Sequence, residues 1–245
     1  MQQMNFFTVL FITFSAALTS FNNYPEQNNS IVLNTAVASV EENDAPAVSK
    51  YATLYDGLNL DKAGLGKEAF DHAINGYEKL IEDGTVKNHR YLTIIDFSQS
   101  SRKKRFYLLD LENGKIVKNT LVSHGKNTGV DMAERFSNKI NSEQSSLGFY
   151  VTTVTYSGKH GLSLRLSGQE KGFNDNAEAR GIVMHGAAYV NASRINSAYM
   201  GRSQGCPALA ENEYAEVIKL IKDGSVMFIY HPSQNYLNNS PLLNS

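Results

Sequence analysis

The chain has 245 residues, enough for one large domain with extensions. Its formal net charge of -1 gives nucleic acid no electrostatic reason to bind. Tryptophan is absent, but 13 tyrosines and 12 phenylalanines suit a β-rich core.

Residues 1–20 carry the apolar run Phe6-Phe7-Thr8-Val9-Leu10-Phe11-Ile12, followed by small residues. That run is short for a bilayer span and reads as a secretory signal peptide, or otherwise an uncleaved N-terminal anchor. Export to the periplasm or cell envelope is therefore expected, and that segment is the one expected contact with a membrane. Residues 21–49, rich in Asn, Ser, Ala and Glu, read as a linker. A first helix is expected within 47–57. A stronger one covers 67–82, where Phe70, Ala73, Ile74, Tyr77 and Ile81 recur at helical spacing and Asp83-Gly84 follows as a stop.

Strands are predicted at 91–97 and 105–111, rich in β-branched and aromatic residues. The basic run Arg102-Lys103-Lys104-Arg105 reads as a solvated turn between them. Asn113-Gly114 predicts a hairpin into a strand at 115–123. A further pair is predicted at 147–156 and 162–166, and a short buried strand at 181–184. A helix over 211–223 carries Tyr214, Val217, Ile218 and Ile221 on one stripe, and a strand at 226–230 closes the domain. The tail, 233–245, reads as flexible. About seven strands with few helices favour a β-rich α+β sandwich or barrel in a single domain, 50–232, over alternating βαβ units.

Chemistry concentrates at Gly201-Arg202-Ser203-Gln204-Gly205-Cys206-Pro207-Ala208, which holds the single cysteine of the chain. No internal disulfide can form, and a Gly-Cys-Pro turn favours an exposed thiol. Pro207 has no N–H, so an oxyanion donor from this turn must come from Gln204, Gly205 or Cys206. A thiolate nucleophile needs a base, and an adjacent imidazolium lowers a thiol pKa from about 8.5. Of six histidines, His124 and His185 each follow an apolar run and precede glycine. His160 sits in a turn beside glycine and reads as exposed. No Cys-x-x-Cys or His-x-x-x-His spacing suggests a metal, and no phosphate or dinucleotide loop is present, so no cofactor is expected.

The run Ile182-Val183-Met184-His185-Gly186 with Ser203-Gln204-Gly205-Cys206-Pro207 resembles the catalytic domain of L,D-transpeptidases of the YkuD type. His-Gly-Ala-x-Tyr-Val with Gly-Arg-Ser-x-Gly-Cys-Pro-Ala is similar to the divergent murein L,D-transpeptidase catalytic domain family. Val122-Ser123-His124-Gly125-Lys126, Phe136-Ser137-Asn138, Ser145-Ser146-Leu147-Gly148 and Gly158-Lys159-His160-Gly161 also fit, so the likeness spans about 50–232.

The resemblance implies a YkuD-like β-sandwich or barrel and a peptidoglycan L,D-transpeptidase acting on stem peptides. It implies Cys206 as nucleophile, His185 as base, the Gly186 carbonyl orienting the imidazole, and amides of Gly205 and Cys206 holding the oxyanion. Tyr189, Ser203 and Gln204 would line the substrate cleft. Gln204 stands where the family has a second histidine, and Ala208 where it usually has Arg or Asn. Arg180, Arg194 and Arg202 are the charged candidates to grip a substrate carboxylate instead. An L,D-carboxypeptidase using water, or a non-catalytic wall-binding protein, are the alternatives.

Overall fold

The computed structural model describes residues 50–51 and 53–244; the expected signal segment and linker, 1–20 and 21–49, lie outside them. The helix predicted at 47–57 is a single turn, α1, Leu54–Gly57, and α2 covers Lys67–Glu82 as its spacing required. Phe70, Ala73, Ile74 and Tyr77 are buried with Leu80, while Ile81 stays half-exposed. Each such side chain removed from water is worth roughly 1.5–3 kcal/mol, more than helix propensity supplies. Gly84 ends the helix at φ 70°, in the left-handed region. The Tyr77 hydroxyl donates to the His89 carbonyl at 2.6 Å and fastens α2 to the first strand.

Eight strands form one mixed sheet: β1 Tyr91–Asp96, β2 Phe106–Asp110, β3 Lys115–Thr120, β4 Gly148–Gly158, β5 Gly161–Gly168, β6 Val183–Gly186, β7 Ala208–Leu209 and β8 Val226–Tyr230. Their order is β3-β2-β1-β8-β4-β5-β6-β7. β1 and β8 are buried at every residue and lie parallel at the centre, between antiparallel neighbours. Beyond Thr120 the chain leaves β2 and runs beside the cysteine segment. There the Ser123 amide donates to Ala208 O at 3.0 Å, and the Ser203 amide to His124 O at 2.9 Å. Gly125 and Ser203 form a parallel bridge. These bonds tie the two ends of the strand order together, so the sheet is a nearly closed barrel with helices around it. α3 covers Tyr214–Ile221, shorter than predicted, with Val217, Ile218 and Ile221 buried.

Three expectations need correction. The predicted count of seven strands misses β7, whose two residues carry no period. The basic run is not wholly a solvated turn. Lys103 and Lys104 are exposed, but Arg105 is fully buried, its guanidinium over Phe97 and bonded to the carbonyls of Gln99 and Val122. Nor is 233–245 a flexible tail, since α4, Gln234–Asn239, packs on the domain through buried Tyr236. The buried Glu170 carboxylate holds it there. It accepts from the Tyr236 hydroxyl at 2.9 Å, from Ser240 Oγ, and from the Phe149 amide at 2.7 Å. No helix among the described residues is long and apolar enough to cross a membrane.

Candidate active site

β6 and β7 run parallel, with His185 opposite Ala208 and Gly186 opposite Leu209. Side chains alternate along a strand, so Val183 shares a face with His185. Cys206, two residues before Ala208, enters beside Val183 and diagonal to His185. The half-buried sulfur accepts the Val183 amide at 3.4 Å and lies 3.8 Å from the Gly181 carbonyl, to which its S–H donates.

The turn carrying the thiol is fixed by its own serine and by its neighbours. Ser203 Oγ donates to Cys206 O at 2.6 Å and accepts from the Gly205 amide at 3.0 Å. Ser145 Oγ donates to Gly205 O at 3.0 Å, and the Lys126 amide to Ser203 O at 2.8 Å. Gly205 sits at φ 123°, where a Cβ would meet Gln144 O at 2.8 Å, so no other residue fits. Of the three amides the sequence leaves eligible for an oxyanion, that of Gly205 is taken by Ser203. The Gln204 amide donates to no other group among the described residues, and the Cys206 amide faces its own sulfur and helps to pull that thiol's pKa down. The Gly205 amide expected from the resemblance is thus a turn-forming bond here, and Ser203 is a scaffold for the turn.

His185 is 4% exposed, and its Nδ1 lies 2.9 Å from Gly186 O. A carbonyl only accepts, so Nδ1 carries the proton and Nε2 keeps the basic lone pair. Tyr214, at the start of α3, covers Gly186 so closely that a Cβ there would meet its ring at 2.5 Å. His160, at the tip of the β4–β5 hairpin, stacks on the imidazole with centroids 4.4 Å apart and planes at 22°. Sequence reading placed His160 in solvent; its exposure was legible, but its neighbour is set by the β5–β6 register, in which Ser163 faces His185.

Electrostatics at the pair run opposite to an ion pair. Burial pushes the Cys206 thiol up, against the Val183 amide and the Arg180 charge, which pull it down. Burial also pushes the His185 imidazole down, with the Gly186 carbonyl opposing and His160 adding to the depression. Both directions favour neutral thiol beside neutral imidazole, so the resting thiolate expected from an adjacent imidazolium is not favoured. His124, the other strand-end histidine, is fully buried and has both nitrogens committed, Nδ1 to Arg105 at 2.9 Å and Nε2 to Gly129 O at 3.2 Å. Burial and the Arg105 charge hold its pKa down to about 4.

The arginines separate. Arg180 lies at the thiol turn, bonded to Ser137 O at 2.7 Å, Ser146 Oγ at 3.0 Å, Ser142 Oγ at 3.2 Å and Gln144 O. It lines a recess of about 260 Å³ with Asn141, Glu143 and exposed Gln204. Arg202 holds the Lys126 and Gly129 carbonyls and covers Tyr199, and Arg194 flanks the same ring. Neither is brought to the thiol as a free cation. Tyr189 packs on Gly201, and its phenol pKa is raised by burial first and by the Cys206 charge as well. Ala208 is buried in β7 opposite His185, and its methyl brings no group that could bond a carboxylate. Larger recesses of about 520 and 430 Å³ lie elsewhere, one beside Lys104 and Glu213, the other beside Arg90 and Glu112; like the recess beside Arg180, neither is lined by Cys206 or His185.

The pairing of parallel β6 and β7 sets His185, on β6, near Cys206, in the turn that leads into β7. The L,D-transpeptidase catalytic domain matches residues 61–230, and the chain belongs to that family. No curated protein matches it. Similar solved structures include an L,D-transpeptidase from Mycobacterium smegmatis, 13% identical, TM-score 0.38, covering 58% of this chain and 59% of that one. Another is an L,D-transpeptidase from Mycobacterium tuberculosis H37Rv, 11% identical, TM-score 0.37, covering 58% of each chain. A third, from Stackebrandtia nassauensis, is 14% identical, TM-score 0.34, covering 73% of this chain and 75% of that one.

Proposed function

We propose that the protein is a peptidoglycan L,D-transpeptidase of the cell envelope, with Cys206 as nucleophile and His185 as its base. The observation that carries this reading is the 2.9 Å contact of His185 Nδ1 with Gly186 O, which leaves the Nε2 lone pair free on the strand paired with the segment that follows Cys206. Because both groups rest neutral, the thiol loses its proton as it attacks. Sulfur leaves the Val183 amide, turns towards His185 and gives its proton to Nε2 while it bonds to the carbonyl carbon between residues 3 and 4 of a tetrapeptide stem. The oxyanion is held by the amides of Cys206 and Gln204, worth roughly 3 kcal/mol per donor. The C–N bond then breaks, Nε2 returns the proton to the departing D-alanine, and a thioester remains. An amine of a neighbouring stem attacks the thioester as Nε2 takes its proton, the C–S bond breaks, the sulfur recovers that proton from Nε2, and the amide cross-link closes.

Arg180 supports the thiolate as it forms and faces the recess in which the donor stem lies. The test is incubation with purified disaccharide tetrapeptides. Release of D-alanine with cross-linked dimers is expected. Trimmed tripeptides alone would instead make the protein a carboxypeptidase, and unchanged substrate would overturn both readings.

A further inference from the structure

The stacked imidazole of His160 serves no bond in the scheme above, yet it closes one face of His185. Three facts place it there. Gly161, next in the chain, has φ 76° and turns the hairpin tip. Tyr214 touches both sides of the gap: a Cβ on Gly161 would meet its hydroxyl at 3.1 Å, and its ring lies on Gly186. Ser163 then holds β5 in register opposite His185. The imidazole of His185 is therefore held between a hairpin tip and a helix start, with its Nδ1 already fixed in the plane of the ring.

We propose that His160 is a positioning residue for the acyl transfer, its stacked ring fixing the plane of His185 and discouraging a proton on Nε2 before the thiol supplies one. This rests on the proposed chemistry of Cys206 and His185. The ionisable groups around His185 are Tyr214 from α3, whose ring lies on Gly186, Cys206 from the turn before β7, and His160 from the hairpin. Of these, His160 is the one that can add positive charge against the ring, and two cations 4.4 Å apart repel each other. Burial is the first cause of the lowered His185 pKa, and His160 adds to it in the same direction. Gln204, in the turn itself, brings no second imidazole, so the second ring at the site comes from across the sheet.

The test compares wild type with His160→Phe and His160→Ala. Phenylalanine keeps a flat ring and removes the charge; alanine removes both. His160 is exposed on a hairpin tip, so both variants are expected to fold. The first readout is the titration of the His185 Cε1–H signal by NMR in the free protein, assigned by its loss in His185→Gln. The His185 pKa is expected to rise by about half a pH unit in the phenylalanine variant and further in the alanine variant, where burial is also relieved. The second readout is the rate of Cys206 acylation by a tetrapeptide stem or a carbapenem across pH. The acidic limb should move up with the titration in both variants. The plateau should stay within about twofold for phenylalanine and fall about tenfold for alanine. An unchanged His185 titration in all three proteins overturns the proposal whether or not acylation occurs. Equal plateau losses for both variants overturn the positioning role. Absence of acylation in the wild type would instead count against the proposed function, while the titration still judges the stack.

Discussion

His124 and His185 arise from the same local pattern, an apolar run ending in His-Gly, and reach opposite states. Around His124 the fold uses both ring nitrogens, one against buried Arg105 and one against the Gly129 carbonyl. Around His185 it uses one, against the next carbonyl in the chain, and covers the ring with a second imidazole. Burial is nearly equal, so burial does not separate a structural histidine from one proposed as a base. The count of uncommitted nitrogens does. A buried ring with both nitrogens bonded is part of the scaffold, and a buried ring with one lone pair free is a base waiting for a proton donor.

Replacing each ring should break the comparison most visibly. His185→Ala is expected to cut acylation of Cys206 about a thousandfold or more, with little change in unfolding temperature. His124→Ala should do the reverse. It leaves the Arg105 guanidinium short of a partner in the interior, costing about 3 kcal/mol, while acylation per folded molecule stays within about threefold. Rates measured beside urea unfolding curves decide this; similar activity losses in both would erase the distinction.

Acid sharpens it. His124 has a pKa of about 4 in the fold against an ordinary 6.5. On acidification the unfolded chain binds this proton first. The neutral form's contribution is therefore complete above 6.5 and is lost as pH falls towards the folded value. The loss between neutral pH and about pH 4 should approach 3 kcal/mol, and His124→Gln should flatten that slope. A slope unaltered in His124→Gln would place the acid sensitivity elsewhere. The depressed His185 pKa adds to it with the same sign.

The following glycines differ too. A Cβ on Gly125 would meet the backbone at Glu143 O, 2.5 Å, and Ser145 N, 2.9 Å, whereas the atoms nearest to one on Gly186 belong to the Tyr214 ring. Backbone cannot step aside and a ring can. Gly125→Ala is expected to cost about 3 kcal/mol and Gly186→Ala about 1 kcal/mol, the latter also slowing acylation by moving Tyr214. Thermal unfolding should rank them in that order, and the reverse order would contradict the packing described. The smallest effect is on the thiol itself. With its pKa raised, Cys206 should react with iodoacetamide more slowly at neutral pH than a free thiol, and accelerate only in alkali. A fast plateau near pH 6 would restore the ion pair that the burial of both groups opposes.

Much of this fold was legible because α2 buries a stripe at helical spacing, Asn113-Gly114 marks the β2–β3 hairpin, and β1, β2 and β8 are short apolar runs buried throughout. Cys206 and His185 stood out through marks as local, a Gly-Cys-Pro turn and a His-Gly strand end. What stayed hidden depends on contacts distant in sequence. Arg105 hides in a basic run because the Val122 carbonyl and the His124 ring, 17 and 19 residues on, tell it from its exposed neighbours. His160 reads as a loop residue because its partner lies across the β5–β6 pairing. α4 lacks a stripe and is held by Tyr236 and the buried Glu170, 66 residues away. The Gly205 amide looked free until Ser203 folded back on it.

The central claim is that Cys206 forms an acyl bond with a wall stem peptide, using His185 to take its proton. Intact-mass measurement of the protein after brief exposure to a tetrapeptide stem, or to a carbapenem as a trapping analogue, tests it directly. One acyl adduct on the wild type, localised to the peptide containing Cys206, strongly slowed in His185→Ala and absent from Cys206→Ala, is the predicted result. A wild type that gains no mass, or a Cys206→Ala variant that gains the same mass, would contradict it.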